Sequence, residues 1–183
     1  MLHSSFPEFL TPRLELRKLR SGDEELVARL DADPAVMQHI HTGPLTYKEA
    51  LDYARLQVDG AEFRSRWGKW LVVVREGAVA AGWVELCKLG GLDRDDLQVG
   101  YEFAPEHWGR GYATEAAARV LAYAFTELEL DRVAAIARPA NAASLRVLEK
   151  LGFREAGRRR DGGLVWCNEY RLALEDWQRQ RVG

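Results

Sequence analysis

Polar and apolar positions alternate along "RLELRKL" (13–19), which predicts a strand. Ser21 and Glu24 have the spacing of a capping box and predict the start of a first helix. Asp33-Pro34 predicts another helix start, with Pro34 in the first turn. Thr46 and Glu49 repeat the capping box and predict a longer helix to about Phe63. "KWLVVVREGAVAAGWVEL" (69–86) predicts a hairpin of two strands around Glu76-Gly77, followed by a glycine-rich acidic loop, "KLGGLDRDD" (88–96). "LQVGYEF" (97–103) predicts a strand with Val99, Tyr101 and Phe103 on one face and Glu102 on the other. Ala117, Val120, Leu121, Ala124, Phe125 and Leu128 recur at helical spacing, so a helix is expected to about Glu129. "RVAAIA" (132–137) predicts a short buried strand, and Asn141 to Lys150 a helix closed by a left-handed Gly152. "FREAGRRR" (153–160) and "LVWCNEYRLAL" (164–174) predict two last strands around Asp161-Gly162-Gly163. Antiparallel strands first and strand–helix alternation later point to an α/β chain: a mixed sheet with helices on both faces.

No repeat, low-complexity segment or linker interrupts this order, so the expectation is one domain over residues 1–183. The net charge of −2 gives no global basic field for nucleic acid or anionic lipid. Cys87 and Cys167 lack metal-ligand and CxxC spacing, so reduced thiols and no metal are expected. "MLHSSFPEFL" has no basic region ahead of an apolar run, and no apolar stretch approaches the roughly 20 residues of a membrane helix. The expected location is the cytoplasm.

Between the 97–103 strand and the next helix lies "EHWGRGYATEAA" (106–117). A strand, a glycine-containing turn and a helix start together gather free backbone N–H groups at the positive end of the helix dipole, where phosphate binds. Gly109 and Gly111 allow a close approach and unusual dihedrals. Arg110 adds a mobile charge, and Tyr112, Ala113 and Thr114 begin the helix. A nucleoside-triphosphate loop would need Gly-Lys-Ser/Thr, and no lysine is here. The dinucleotide fingerprint would need Gly where Thr114 stands, at the opening of a parallel sheet rather than past mid-chain. Two glycines alone fit a plain tight turn as well as a ligand site.

The wider context decides. "VGYEFAPEHWGRGYATEA" (99–116), followed by "NAASLRVLEKLGF" (141–153), resembles the GCN5-related N-acetyltransferase superfamily. The first block is similar to its acetyl-CoA pyrophosphate motif, the second to its Asn-x-x-Ser helix with closing Gly-Phe. "TPRLELRKL" near the start and a final strand ending in "LEDW" resemble the branch of ribosomal-protein alanine/serine N-terminal acetyltransferases. The resemblance spans roughly residues 11–177. It implies a twisted, mostly antiparallel seven-stranded sheet splayed at the fourth strand, with CoA in the gap. It implies that Asn141 touches the pantetheine arm and that Ser144 lies near the CoA sulfur. Asn141 is equally a good helix N-cap. Trp108 departs from the pattern, which often has Gln or Arg there. Trp108 is expected to pack, leaving phosphate to the backbone.

Acetyl transfer from a thioester to an amine needs a neutral amine, a polarised carbonyl and a proton for the leaving thiolate. Neither cysteine has a neighbouring base, which disfavours a cysteine nucleophile. Glu102 is the first candidate base; by resemblance its "GYE" position sits near the acetyl group. Glu85 is the alternative, and an ordinary surface pair is the competing reading for each. His39, His41 and His107 are bases by type only, with surface roles favoured. Ser144 is the candidate partner of the leaving group and Tyr170 a second donor. Backbone at Phe103 and Ala104 would polarise the carbonyl, Pro105 ending the ladder there.

Arg146, Lys150 and "GRRR" (157–160) read first as solvated charge. Trp67, Trp70, Trp83 and Trp166 read first as core. The expected function is acetyl-CoA-dependent N-acetylation of a primary amine, a protein N-terminus or a small amine such as a polyamine, aminoglycoside or amino acid. A cationic acceptor would suit the "DRDD" loop (93–96). A non-catalytic CoA-binding module on the same fold is the alternative, nucleic acid is not expected as a partner, and a homodimer is the default if the chain self-associates.

Overall fold

In a computed structural model, residues 6–40, 43–59, 66–88, 97–161 and 165–182 are described. The sheet-forming segments are β1 (Phe9–Leu10), β2 (Leu14–Lys18), β3 (Lys69–Val74), β4 (Val79–Lys88), β5 (Leu97–Phe103), β6 (Arg132–Ala137), β7 (Arg154–Asp161) and β8 (Val165–Ala173). The helices are α1 (Glu24–Ala32), α2 (Pro34–Met37), α3 (Tyr47–Asp59), α4 (Tyr112–Thr126), α5 (Ala142–Lys150) and α6 (Leu174–Val182). The strands form one sheet in the order β1-β2-β3-β4-β5-β6-β8-β7. Every pairing is antiparallel except β5–β6. Seven strands of useful length were expected; the eighth, β1, is a two-residue edge.

Alternation along β3 explains the layers. Trp70 and Val72 face α4, joining Leu14, Leu16, Val84, Leu86, Val99, Phe103, Val120 and Leu121 in the main core. Leu71 and Val73 face the other way, onto Leu19, Val27 of α1 and Ala54 of α3. Helices therefore cover both faces, as the order of elements predicts. Among the described residues, no helix is long and apolar enough to cross a membrane.

The predicted starts hold in two cases of three. At α2, Asp33 accepts from the N–H groups of Ala35 and Val36, with Pro34 first in the helix. At α3, the Thr46 hydroxyl accepts from the Glu49 N–H at 3.3 Å and the Glu49 carboxylate from the Thr46 N–H at 2.9 Å. The Ser21–Glu24 box does not form. Asp23 precedes α1 and its carboxylate instead accepts from Arg17 and from the Arg20 N–H. Helix α4 ends at Thr126 rather than Glu129, because Glu129 adopts a left-handed φ of 55°. "LEDW" is not strand: it opens α6, with Trp177 packed on Phe125. The expected reach of α3 to Phe63, the acidic loop after Lys88 and the Gly162-Gly163 turn lie outside the described residues.

Two features place the site. Gly82 sits where β4 and β5 touch so closely that a Cβ there would be 2.1 Å from the Glu102 carbonyl oxygen. And β5 pairs with β6 only at Gln98↔Ala134, after which the two strands part.

Candidate active site

The parting of β5 and β6 exposes backbone on one edge. Ala104 N–H donates to the Ala81 carbonyl at 2.9 Å, so the even-numbered residues at the end of β5 bond toward β4. By the alternation of an antiparallel ladder, the N–H and C=O groups of Tyr101 and Phe103 point toward the gap. The side chains of Phe103 and Ala104 are buried in separate clusters. Both backbone groups of Ala104 are also taken, by the Ala81 carbonyl and the His107 N–H, so contrary to expectation Ala104 offers a ligand nothing and the free backbone group is the Phe103 N–H. The Phe103 carbonyl is already engaged by the indole N–H of Trp108 at 2.6 Å. Trp108 is 47% exposed and straps the end of β5 through this bond.

A cavity of about 650 Å³ runs through this gap. Its walls come from α1, the α2–α3 connection, β3, β4, β5, β6 and α5. Glu102, Glu85, Asn141, Ser144 and His39 all line it, although they come from four separate stretches of chain. His41 lies outside the described residues.

Glu102 and Tyr101 occupy opposite faces of β5. On the α1 side, Glu102 faces Trp83 across the β4–β5 ladder, and Glu85 faces Gly100. A Cβ at Gly100 would stand 3.2 Å from a Glu85 carboxylate oxygen, so glycine leaves that carboxylate its room. Glu85 is paired with Lys69 at 3.7 Å, and Lys69 lies 3.7 Å over the Trp83 ring. Glu102 has no such partner: its Oε2 is buried without a hydrogen bond. Burial pushes the Glu102 carboxyl up to about 8; Lys69 opposes this, while Asp31 and Glu85 reinforce it. A carboxyl held near 8 can exchange a proton near neutral pH.

On the other face, the Tyr101 hydroxyl lies 2.9 Å from Ser144 Oγ and 3.4 Å from the Ser144 carbonyl. Burial raises the Tyr101 phenol to about 12, with the Ser144 hydrogen bond opposing, so it stays protonated. Asn141 caps α5, its Oδ1 accepting from the Ser144 N–H at 3.0 Å, and also lines the cavity. Tyr170 does not line the cavity; its hydroxyl accepts from Asn168 Nδ2 at 3.4 Å and its ring packs on the core. His107 stands over Tyr112 outside the cavity wall.

The glycine loop lies beyond the cavity wall, at the N-terminus of α4. Gly109 and Gly111 have φ of 71° and 80°, which favours glycine at both. The first helical bond runs from Glu115 N–H to the Gly111 carbonyl, so the N–H groups of Tyr112, Ala113 and Thr114 have no intrahelical acceptor. Nothing stands within 4 Å of where a Gly109 Cβ would be. An open, donor-rich helix start of this kind fits a pyrophosphate. Arg110 is exposed, and its carbonyl accepts from Arg13 at 2.9 Å.

Sequence reasoning missed the brace behind this loop. Glu115, in the first turn of α4, accepts from the Thr11 hydroxyl at 2.6 Å and from Arg13 Nε at 2.6 Å and N–H at 3.0 Å. Burial pushes the Glu115 carboxyl up, and these hydrogen bonds more than offset it, leaving it below its ordinary value. Arg13 also stacks 4.9 Å over Tyr112. The signal available was "TPR", whose partner is about a hundred residues away. Asp31, Tyr101 and Lys69 were missed for the same reason: each looks like an ordinary surface or core residue of its own element.

Trp70 and Trp83 are buried, the latter in the cavity wall, and Trp67 packs on the core. Trp166 is 55% exposed and fills no core. Arg146 and Lys150 are exposed.

A profile of the acetyltransferase (GNAT) domain matches residues 13–154. An uncharacterized N-acetyltransferase, YnaD of Bacillus subtilis, is 31% identical over 91% of this chain and 97% of its own. A putative ribosomal N-acetyltransferase, YdaF of the same organism, is 42% identical over 55% of this chain and 57% of its own. Among solved structures, a GNAT-family acetyltransferase from Bacillus anthracis superposes with a TM-score of 0.78 at 27% identity, covering 92% of this chain and 99% of that one. The family match covers most of the chain and the superposition extends over nearly all of it, so the chain belongs to the GNAT family of acetyl-CoA-dependent N-acetyltransferases.

Proposed function

We propose that this chain, as one domain, transfers an acetyl group to a primary amine by direct attack with both substrates bound together, and that the acceptor is a protein N-terminal α-amine or a small amine. The observation that carries this reading is the cavity through the β5–β6 gap, which holds a high-pKa carboxyl, Glu102, and a hydroxyl pair, Ser144 and Tyr101. Acetyl-CoA supplies the activated thioester. Its phosphates fit the helix start at Gly109–Thr114, and its pantetheine arm fits the free edge of β5 beside Asn141.

Each residue then has a task set by its chemistry. Glu102, ionised, accepts a proton from the incoming ammonium, directly or through water, and leaves the nitrogen lone pair free. The Phe103 N–H, aimed into the gap, is a donor for a carbonyl oxygen. Ser144, hydrogen bonded to Tyr101, presents a hydroxyl proton toward a departing thiolate; Tyr101 holds that hydroxyl in place. No covalent enzyme intermediate is needed, and the half-buried Cys87 thiol, pushed up to about 12 chiefly by desolvation, is a poor nucleophile.

The test is CoA release from acetyl-CoA with a panel of amines and N-terminal peptides. Turnover with at least one acceptor, lost in Glu102→Gln, is expected. Turnover that survives both Glu102→Gln and Ser144→Ala would remove the assignment of these roles. Absence of acetyl-CoA binding at high micromolar concentration would remove the acetyl-transfer reading as a whole. The putative ribosomal acetyltransferase among the relatives supports including N-terminal peptides in the panel.

A further inference from the structure

The acceptor end of the cavity holds more unpartnered polar groups than the reaction needs. Asp31, at the last turn of α1, is only 6% exposed and lines the cavity. Its Oδ2 is buried without a hydrogen bond. Burial pushes its carboxyl up, with Lys69 opposing and Glu85 reinforcing. Trp83, also 6% exposed and in the cavity wall, has a buried indole N–H without a partner. Trp83 stands directly across the ladder from Glu102. By contrast Glu85 and Lys69, in the same wall, satisfy each other.

A buried carboxylate without a partner is destabilising, and among the described residues nothing replaces the lost hydration of Asp31 Oδ2. Of the cavity's cations, Lys69 pairs with Glu85 and Arg138 donates to the Gln38 carbonyl. Lys69 and Glu85 are the charges felt at Asp31, and Glu102 adds a third carboxyl to this end. Glu102 meets the nitrogen that is acetylated, and that nitrogen loses its charge on acetylation. Asp31 is left over. A group that neutralises it must come with the acceptor and keep its charge throughout the reaction. The unpartnered indole donor of Trp83 is a separate sign that a ligand, rather than the fold, completes this wall.

We propose that Asp31 is a specificity-determining residue that binds a second cationic nitrogen of the acceptor. This inference rests on the acetyl-transfer reading above and narrows its acceptor to amines carrying two positive charges. The same chemistry is available from a small diamine and from a peptide N-terminus next to a basic side chain.

The experiment compares matched acceptors that differ only in the second charge. One pair is butane-1,4-diamine and butylamine; the other is Ala-Lys-amide and Ala-norleucine-amide. CoA release is measured with wild type and Asp31→Asn. The expected result is a kcat/KM for the dication at least about tenfold above its monocationic partner in one pair, the ratio falling toward one in Asp31→Asn. The pair that shows it identifies the source of the charge. The change should lie mainly in KM of the acceptor, with KM for acetyl-CoA little altered. A thermal melt of each protein shows that Asp31→Asn is folded; removal of an unpaired buried charge should not lower its midpoint.

Ratios near one in both pairs, with measurable turnover, overturn the Asp31 inference and leave the acetyl-transfer reading standing. So does a ratio that survives Asp31→Asn. If none of the four amines turns over while acetyl-CoA still binds, melting in the presence of CoA decides. Stabilisation of wild type by a dication over its monocationic partner, lost in Asp31→Asn, supports the inference; equal midpoints overturn it. If acetyl-CoA does not bind, both readings fall.

Discussion

Ser144 Oγ and the Tyr101 hydroxyl lie 2.9 Å apart, one on α5 and the other on β5, across the mouth of the gap between β5 and β6. The two hydroxyls act as a unit, because each fixes the other's rotor. Ser144→Ala and Tyr101→Phe are each expected to lower kcat by about tenfold or more with little change in acceptor KM. The double variant should be little worse than the poorer single one, since coupled groups are not additive. Steady-state kinetics on the four proteins tests this. Independent, multiplying losses would mean that the pair does not function together.

Glu102 sets a pH dependence of rate. With its carboxyl near 8, the ionised base is scarce below neutrality, so kcat/KM should rise toward a plateau above about pH 8. The acceptor ammonium also titrates, so the profile is measured with two acceptors of different basicity. A limb that stays in place for both, and disappears in Glu102→Gln, belongs to the enzyme.

The same carboxyl sets a pH dependence of stability with an unusual sign. Its folded pKa of about 8 lies above the ordinary 4.5, so its neutral form is the one the fold favours. Stability is complete below about pH 4.5 and is lost as pH rises toward 8, by up to about 1.4 kcal/mol per pH unit. Glu102→Gln keeps the neutral shape and removes that loss. Thermal midpoints of the variant and wild type should agree near pH 4.5 and separate, variant higher, by pH 8. Parallel curves across this range would show that Glu102 is not held neutral.

Arg13 and Glu115 meet at 2.6 Å, with Arg13 half exposed, so the pair adds no more than about 1 kcal/mol to stability. Its effect should appear instead in the loop it braces. Arg13→Ala and Glu115→Gln are expected to raise KM for acetyl-CoA several-fold while acceptor KM and melting midpoint change little. Equilibrium binding of CoA to each variant measures this directly.

Two glycines make a contrast. Gly82→Ala would drive a methyl against the Glu102 carbonyl, 2.1 Å away, and force β5 off β4. It should cost about 2 kcal/mol or more and lower kcat, because the strand that moves carries Glu102. Gly109→Ala meets no atom within 4 Å but keeps a φ of 71°. Its cost is that of left-handed backbone, about 1–2 kcal/mol, and the loss should fall on acetyl-CoA binding. Chemical denaturation and the two KM values separate the cases.

Much of this fold is legible in the chain because the patterns involved are local. The hairpin around Gly77, the two faces of β5 and the cap of α5 by Asn141 each depend on a few consecutive residues. "LEDW" misleads because it follows β8 directly, while packing of Trp177 on Phe125, about fifty residues away, favours helix there. Glu102 and Ser144 are recognisable from motif and position, but their environment is not. Whether Glu85 or Glu102 has a cation beside it depends on Lys69, which register places opposite Glu85 from another strand. Asp31 reads as one more polar residue of an amphipathic helix. Its burial follows from how α1 lies over β4 and β5, which no short window encodes.

The alternation of β5 has a further consequence. Four successive residues, from Gly100 to Phe103, serve two compartments by turns: even positions face the acceptor end, and odd positions face α4 and α5. Insertion or deletion of a single residue between Gln98 and Glu102 would exchange the contents of the two, delivering a phenol to the acceptor end and a carboxyl to the main core. Length in this stretch is therefore constrained more tightly than composition. Natural variation here should proceed by substitution, with gaps confined to the loops on either side.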